Sequence, residues 1–369
     1  MQNSEPDLLS LFLRLAPIDG RSHAERLIAD EVAALLRASG NRVVEDEAAS
    51  KVNGNAGNLL CFPPDFNESA PAILLEAHLD TVQSTASLKP VVKADRVTSD
   101  GSTILGADNR MGVALLVDLL LRSSRTTKKH RNFFVAFTVC EETGLYGADA
   151  LALSSHNVSA VYVFDCSKRP GIYIRESVGL HAFSASFAGK SAHAGVAPEE
   201  GISAIALSAA AIGRIPLGRI DADTTANIGK IHGGEATNIV PDRVTIEGEV
   251  RSFYPDRITK LLELYRRQFE DAVLGKGSVK FEAVRQFDPY VHAPESPAII
   301  QLETAIRSAG LEPQPIRYMG GSDANVLNAK GITAVNIGIG AQKPHSLDEF
   351  FLLEDLYAAS RIAEKIVEV

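Results

Sequence analysis

Short, continuous apolar runs recur along the chain and alternate with longer segments in which apolar residues return every three or four positions. The continuous runs have the length of strands buried on both faces, and they lie at 72–75, 133–139, 160–164 and 332–339. Helical spacing occurs at 22–40, 111–121 and 353–369. Strands and helices that alternate in this way predict an α/β layer structure.

The first of these helices shows its pattern most fully. Gly40 is the expected end of the helix that begins at Ser22. The residues of its predicted apolar stripe are Leu27, Ile28, Val32, Leu35 and Leu36.

The middle of the chain has a different pattern, in which apolar and polar residues alternate. Alternating runs at 181–187 and 244–250 are typical of half-buried antiparallel strands. With helical patterns at 201–212 and 258–273, they predict the order strand, helix, two strands, helix and strand. A compact inserted domain is therefore expected. The expected division is an insertion at 177–288 and a discontinuous domain formed by 1–176 and 289–369.

Size and composition narrow the class of protein. The chain has 369 residues, of which 45% are apolar and 22% charged, as is typical of a soluble globular protein with two domains. The formal net charge is −9, and the one basic cluster, at 128–131, is most simply a solvated turn. We therefore expect no nucleic-acid partner.

Targeting and membrane-spanning features are not recognised in the sequence. The N-terminal segment lacks the basic head, long apolar core and cleavage site of a secretory signal. No apolar run reaches the roughly 18 residues that a spanning helix needs. Cys61, Cys140 and Cys166 are odd in number and widely separated, which argues against a disulfide framework. We expect a cytoplasmic protein with no membrane partner.

A histidine and an aspartate follow the first apolar run, in the segment ILLEAHLDTV. Residues two apart on an extended chain face the same way, so His78 and Asp80 share a face. One can bind metal while the other orients it, because a ligating imidazole usually donates its free N–H to a carboxylate. An ordinary strand with a solvated histidine and aspartate at its end explains the same letters.

Further candidate ligands lie where predicted strands end. Asp108 precedes a helix in GADNRMG, and Asp165 ends the strand AVYVF. Glu141 and Glu142 follow the strand FFVAFTVC, and His345 comes much later in KPHS. The carboxyl ends of strands form the ligand crevice of an open α/β sheet, so these groups are expected to converge. Imidazoles and carboxylates are the ligands that hold two zinc ions around a water molecule. Taken singly, Asp108 is more often a helix-capping carboxylate, Asp165 a turn residue, and the glutamate pair a solvated loop end.

Nearly the whole chain resembles the M20 metallopeptidases. The matching stretches are EAHLDTV, GADNRMG, TVCEETGLYGA, YVFD, GKSAHAG, GGEATNIVPD, GEVRS, GGSDAN and PHSLDEF. Within that family the chain looks most like the peptidase T-like aminopeptidases. The resemblance implies a zinc-dependent exopeptidase fold, in which helices flank a mixed sheet. It also implies that residues 177–288 form a ferredoxin-like lid and dimerisation domain.

The resemblance implies a role for each candidate ligand. One zinc ion is expected on His78, Asp108 and Asp165, and a second on Asp108, Glu142 and His345. Mn²⁺ and Co²⁺ suit similar ligands. Glu141 remains outside the metal shell, where it would act as general base and acid. The resemblance also implies a cis peptide bond between Asp108 and Asn109.

Residues of the inserted domain are implied in catalysis and substrate binding. By resemblance His193 reaches across a homodimer and hydrogen-bonds the developing oxyanion, although a surface imidazole is the structural alternative. Asn238 and Arg251 match substrate-contacting positions, and Arg251 would grip a substrate carboxylate. Alone, Arg251 is more simply a surface ion-pair residue.

The segment GGSDAN is expected to approach the substrate. Gly321 allows the main chain to come close to a ligand, and Ser322 and Asp323 would hold the substrate's free amine. A glycine turn ahead of a helix capped by Ser322 explains the same letters.

The preferred function is a zinc-dependent aminopeptidase that hydrolyses short peptides and assembles as a homodimer through its inserted domain. An N-acyl amino acid amidohydrolase or a carboxypeptidase would use the same metal site. A metal-binding or regulatory module without catalysis is a third hypothesis. Retention of Glu141 argues against that module, because binding metal needs the ligands but not the base.

Overall fold

The computed structural model describes residues 7–126, 128–153 and 155–369. The chain divides into two compact units. The first comprises the chain up to Arg175 together with 291–317 and 322–369, and the second comprises 176–290 and 318–321.

The helices of the described residues are α1 (Leu8–Leu15), α2 (Arg26–Ala38), α3 (Ala48–Val52), α4 (Ala107–Ser123), α5 (Tyr146–Ala150), α6 (Ala204–Ile212), α7 (Pro255–Val273), α8 (Pro297–Ser308), α9 (Asp323–Ala329) and α10 (Leu353–Val367). A short 3₁₀ helix covers Pro198–Glu200.

The strands are β1 (Arg42–Glu45), β2 (Leu59–Phe62), β3 (Ala72–His78), β4 (Val91–Val92), β5 (Arg96–Thr98), β6 (Phe133–Thr138), β7 (Val158–Cys166), β8 (Ile172–Ser177), β9 (Gly179–Ala188), β10 (Gly218–Asp221), β11 (Thr224–Gly233), β12 (Arg243–Ser252), β13 (Ser278–Phe287), β14 (Tyr290–Val291), β15 (Gln314–Tyr318), β16 (Ala334–Gly338) and β17 (Phe350–Leu352).

A mixed nine-stranded sheet organises the first unit, in the order β1-β2-β6-β3-β7-β16-β8-β14, with β15 paired to β8. The four central strands β6, β3, β7 and β16 are parallel to one another. Every residue of β3, β6 and β16 is buried, which explains why their sequences read as continuous apolar runs. The predicted α/β layer is therefore confirmed, with strand positions close to the expected ones.

The parallel arrangement brings the carboxyl ends of the central strands to one edge of the sheet. His78 is the last residue of β3 and lies in register with Thr138, the last residue of β6. Asp165 occupies the last position but one of β7, next to Cys166. Chemically active side chains far apart in sequence are thus carried to the same place by ordinary parallel pairing.

Helix α4 is buried almost all round, because it packs against β3, α1 and α10. The predicted helical segment, 111–121, is shorter than the helix in the structure. Asp108 and Asn109 at its start have non-helical backbone angles, and the peptide bond between them is cis, as the resemblance implied.

The predicted helix at 22–40 is shorter in the structure, where α2 runs from Arg26 to Ala38. Ile28, Val32 and Leu36 are fully buried, but Leu27 is 62% exposed, so its assignment to the apolar stripe was wrong. Successive helix residues are about 100° apart, and Leu27 therefore lies beside the stripe and not on it.

The second unit is a five-stranded antiparallel sheet in the order β10-β11-β12-β9-β13, with α6 and α7 packed on it. The predicted alternation holds, because Phe183, Ala185 and Phe187 of β9 are buried. The expected pair of strands between the helices was wrong, because the structure has three. The additional strand, β10, is short and mostly exposed, so it lacks an apolar pattern that the sequence could reveal.

All three cysteines are free and buried, in agreement with the absence of a predicted disulfide framework. None of the helices in the described part of the chain combines the length and apolar character needed to cross a membrane.

Candidate metal centre and active site

The imidazole of His78 lies at the centre of a first cluster of candidate ligands. Its Nε2 atom is 3.2 Å from Oδ1 of Asp108 and 3.1 Å from Oδ1 of Asp165. His78 is only 2% exposed. Three side chains that are far apart in sequence therefore lie close together here. This agrees with the expectation that groups at the carboxyl ends of parallel strands converge.

A second cluster shares Asp108 with the first. The Nε2 atom of His345 is 3.4 Å from Oδ2 of Asp108 and 3.0 Å from Oε1 of Glu142. In each group of three, the potential ligand atoms lie within 4.8 Å of one another. Each oxygen of Asp108 therefore faces a different histidine, which is the arrangement that a carboxylate needs to bridge two cations.

The donor set fits a pair of divalent cations. Nitrogen from imidazole and oxygen from carboxylate suit Zn²⁺, Mn²⁺ and Co²⁺. Oε1 of Glu142 is buried and has no hydrogen-bond donor among the described residues, although His345 lies within ion-pair distance. A buried carboxylate oxygen in this condition is costly unless a cation compensates it. The cluster is therefore a possible metal-binding centre.

Glu141 stands next to this centre without belonging to either group that contains Asp108. It forms a further group of possible ligands with His78 and Glu142. Its backbone N–H donates to Oδ1 of Asp80 at 3.0 Å. Burial raises the pKa of the Glu141 carboxyl well above its ordinary value, and the charge of His78 opposes this only in part.

Asp80 supports the centre in a way that differs from the sequence-based expectation. The Nδ1 atom of His78 lies 3.0 Å from the backbone oxygen of Asp80 and 3.5 Å from its carboxylate. That carboxylate instead accepts hydrogen bonds from the hydroxyl of Ser22 at 2.6 Å and from the N–H groups of Glu141 and Glu142. Asp80 thus orients both the imidazole and the turn that carries the two glutamates.

Asn109 orients another candidate ligand. Its side-chain amide donates to the backbone oxygen of Phe164 at 2.8 Å and to Oδ1 of Asp165 at 3.3 Å, while its oxygen accepts from the N–H of Gly112. The start of α4 therefore contains the candidate ligand Asp108, and the next residue, Asn109, holds Asp165 in place by a hydrogen bond.

The GGSDAN segment is explained largely by packing and capping. A Cβ atom on Gly321 would overlap the ring of Phe287. Ser322 is the N-cap of α9, and its N–H donates to Oδ1 of Asn325 at 3.1 Å. Asp323 is 1% exposed and accepts a hydrogen bond from Thr138 at 2.6 Å. The structure brings Ser322 and Asp323 into the sheet unit as buried groups, so it supports the capping alternative.

Three candidate residues belong to the second unit. His193 is exposed, and its Nδ1 accepts hydrogen bonds from the N–H groups of Gly195 and Val196 at 3.1 and 3.2 Å. Nδ1 is therefore an acceptor, and the proton of the neutral ring lies on Nε2. Asn238 is exposed, and its backbone oxygen accepts from the N–H of Ala194.

Arg251, the third of these residues, already has a partner in its own unit. Its Nε and Nη2 atoms donate to the carboxylate of Glu249 at 2.8 and 3.1 Å, and Nη1 donates to the backbone oxygen of Met319 at 3.3 Å. The guanidinium group of Arg251 was expected to bind a substrate carboxylate, but in the structure it binds the carboxylate of Glu249. The simpler expectation of an ion pair for Arg251 is thus what the structure contains.

Several supporting residues were missed by sequence reasoning. The guanidinium of Arg110 is fully buried and donates to the backbone oxygens of Leu79 and Ile18. Glu25 is fully buried and accepts the N–H of Cys140 at 3.0 Å. Glu349 accepts backbone N–H groups beside Asp108. Glu349 and Arg110 carried a signal, because they lie in the matching stretches PHSLDEF and GADNRMG; Glu25 had none.

The sequence of this chain matches two peptidase families and is similar to those of bacterial relatives. Residues 175–276 match the family described as peptidase dimerisation domain, and residues 63–196 match peptidase family M28. The uncharacterized protein YqjE of Bacillus subtilis is 33% identical, over 99% of this chain and 98% of its own length. Peptidase T of Escherichia fergusonii is 28% identical, over 74% of this chain and 67% of its own length.

Two solved structures are similar over almost their whole length. A tripeptidase from Staphylococcus aureus has a TM-score of 0.91 and 34% identity, covering 99% of this chain and 98% of that one. Aminopeptidase PepT from Bacillus cereus has a TM-score of 0.86 and 32% identity, covering 98% and 97%. These likenesses confirm the predicted exopeptidase fold with its inserted domain.

The fold and the relatives together define a peptidase. The chain belongs to the M20 family, as a peptidase T-like member.

Binding of a divalent cation is expected to release protons from this centre. Burial lowers the pKa of His78, but hydrogen bonds to Asp108, Asp165 and Asp80 outweigh it and hold the pKa well above its ordinary value. The carboxylates of Asp108 and Glu142, at 3.4 and 3.0 Å from its Nε2 atom, raise the pKa of His345 to about 10. Imidazoles whose pKa is raised in this way hold their protons more strongly, and bound cations would have to displace those protons.

The measurement is calorimetric titration of metal-free protein with Zn²⁺ at pH 7, in buffers of different ionisation enthalpy. The observed heat should depend on the buffer, and the apparent affinity should fall as the pH is lowered from 7 to 6. Heat that is the same in every buffer would contradict the assignment of the two histidines as ligands.

Proposed function

We propose that this chain is a metal-dependent aminopeptidase that hydrolyses short peptides with two divalent cations, most simply Zn²⁺, in each subunit. The observation that carries the proposal is Asp108, whose two oxygens face different histidines. The similar structures include a tripeptidase and an aminopeptidase, which favours small peptides with a free amino terminus.

The metal ligands in this proposal are His78, Asp108 and Asp165 for one cation, and Asp108, Glu142 and His345 for the other. When bound, such a pair lowers the pKa of water and polarises the scissile carbonyl group. Asn109 and Asp80 keep the ligands oriented through the hydrogen bonds described above.

Glu141 is the proposed general base and acid. Its carboxylate lies beside the candidate ligands His78 and Glu142. Because burial raises the pKa of Glu141, its carboxyl has the proton affinity needed to accept a proton from water and pass it to the leaving amine.

His193 is the proposed donor to the developing oxyanion. Its Nδ1 is held by two backbone N–H groups, so the exposed ring offers an Nε2–H that can donate. We further propose that residues 177–288 act as a lid and dimerisation domain, and that His193 serves the partner subunit's site. Asn238 remains a candidate substrate contact, whereas Arg251 would first have to leave Glu249.

An N-acyl amino acid amidohydrolase or a carboxypeptidase would use the same centre on different substrates. We expect the chain to hydrolyse free di- and tripeptides and to lose this activity when the amino terminus is blocked, because an aminopeptidase must recognise the free amine. C-terminal amidation should have little effect. The measurement is the initial rate on a matched panel, with and without a metal chelator. Preference for N-acylated compounds would select the amidohydrolase, and a requirement for the free C-terminal carboxylate would select the carboxypeptidase.

Glu141→Gln should lower kcat strongly while metal content remains near that of the native protein. The amide has almost the same shape but cannot accept a proton, so a loss of about 10²–10⁴-fold in kcat is expected. Metal content by elemental analysis and kcat on a tripeptide give the two readouts. Glu47→Gln, at an exposed glutamate next to α3, is the matched control. Unchanged kcat in Glu141→Gln would refute the role of Glu141 as general base. That result would favour a reaction in which no side chain at this position accepts a proton.

Mixing two inactive variants tests the action of His193 across a dimer. Glu141→Gln and His193→Ala should each be nearly inactive alone. After unfolding and joint refolding, mixed dimers contain one site with both native groups, so about a quarter of native activity should return if assortment is random. Sedimentation confirms that dimers form. Dimers that regain no activity, or a fully active monomer, would contradict the proposal.

A further inference from the structure

The side chain of Glu349 joins two loops that carry candidate metal ligands. Its Oε2 accepts the N–H of Gly106 at 2.7 Å, and its Oε1 accepts the N–H of Asp108 at 3.1 Å. Glu349 is only 1% exposed. Both oxygens of a buried carboxylate are thus directed at the turn before α4, and one of them binds the backbone of the bridging residue itself.

The loop on the other side of this contact carries His345. Backbone hydrogen bonds in both directions between Gln342 and Phe350 close the loop at its base. His345 has a φ of +64°, and its side chain is 48% exposed. His345 is therefore a partly exposed residue of this loop. The buried side chain of Glu349, in the same loop, hydrogen-bonds the turn that contains Asp108.

We propose that Glu349 is a positioning residue for the metal centre, which fixes the distance and direction between Asp108 and His345 so that both can bind the same cation. The inference rests on the metal-dependent function proposed above. Glu349 itself contacts neither the cation nor the substrate. Its carboxylate acts through the backbone, at a residue more than 240 positions away in sequence.

A purely stabilising role and a purely electrostatic role for Glu349 lead to different expectations. The first N–H groups of any helix need acceptors, so in the stabilising role Glu349 would affect folding alone. In the electrostatic role, a buried negative charge near cations would raise their affinity without any demand on geometry. The positioning role requires both oxygens of Glu349 to keep their hydrogen bonds to the N–H groups of Gly106 and Asp108. A shorter side chain must therefore weaken metal binding even when it keeps the negative charge.

Two substitutions separate these three roles. Glu349→Gln keeps the length of the side chain, but its NH₂ group would face one of the two N–H donors, so one hydrogen bond is lost. Glu349→Asp keeps the charge but shortens the reach. Asp348→Asn is the matched control, because Asp348 lies on the same loop, is exposed, and has only a 3.9 Å ion pair with Lys343.

The experiment titrates each metal-free protein with Zn²⁺ against a competing chelator, and with Co²⁺ while the visible spectrum is recorded. Both Glu349 variants should bind one of the two cations about 10–100-fold more weakly, the usual effect of removing an outer partner of a ligand. The Co²⁺ absorption of that site should change, whereas Asp348→Asn should match the native protein. Circular dichroism and the thermal unfolding of the metal-free proteins report on folding.

Native affinity and native Co²⁺ spectra in both Glu349 variants would overturn the inference, whether or not their metal-free forms unfold at a lower temperature. Weakened binding in Glu349→Gln but not in Glu349→Asp would also overturn it, in favour of charge alone. If the native protein itself bound no divalent cation, the proposed function would fail first, and the two failures are therefore distinguishable.

Discussion

Four carboxylates and two imidazoles are concentrated in one small region at the end of the parallel strands, and this concentration is the main physical constraint on the molecule. Burial raises the pKa of Glu142 to about 7, and it also raises the pKa of Asp165. Anionic groups so close together repel one another and have lost much of their hydration. Two cations that share Asp108 would relieve both costs at once, because each would replace repulsion by coordination.

The surrounding side chains hold the residues of this cluster in place through hydrogen bonds. Asp80 holds the turn of Glu141 and Glu142 through their N–H groups, and Asn109 holds Asp165. Glu349 accepts the N–H of Asp108. These partners are buried and hydrogen-bonded, so the protein's own contacts hold the candidate ligands in place.

The sequence predicted the parts of this arrangement that depend on pattern. Continuous apolar runs identified β3, β6, β7 and β16, and parallel pairing then carried His78 and Asp165 to one edge. The sequence could not predict hydrogen-bond partners that only the three-dimensional fold brings together. The guanidinium group of Arg110 is buried and donates to two backbone carbonyl groups, those of Leu79 and Ile18. Leu27 reads as a core residue, yet its angular position on α2 exposes it.

Short exposed elements and side-chain pairing account for the remaining differences between the predicted and the observed structure. Strand β10 is mostly exposed and therefore has no apolar signature. Arg251 pairs with Glu249, two positions earlier on the same face of one strand. Sequence patterning favours an ion pair for an isolated arginine, and the substrate role came from the family resemblance alone.

The most direct test of the central claim is a crystal structure of protein grown with Zn²⁺, with anomalous differences measured at the zinc absorption edge. We expect two anomalous peaks on either side of the Asp108 carboxylate, one beside His78 and one beside His345. A single peak with Asp108 bound on one side only, or peaks away from these histidines, would contradict the claim that Asp108 bridges two cations.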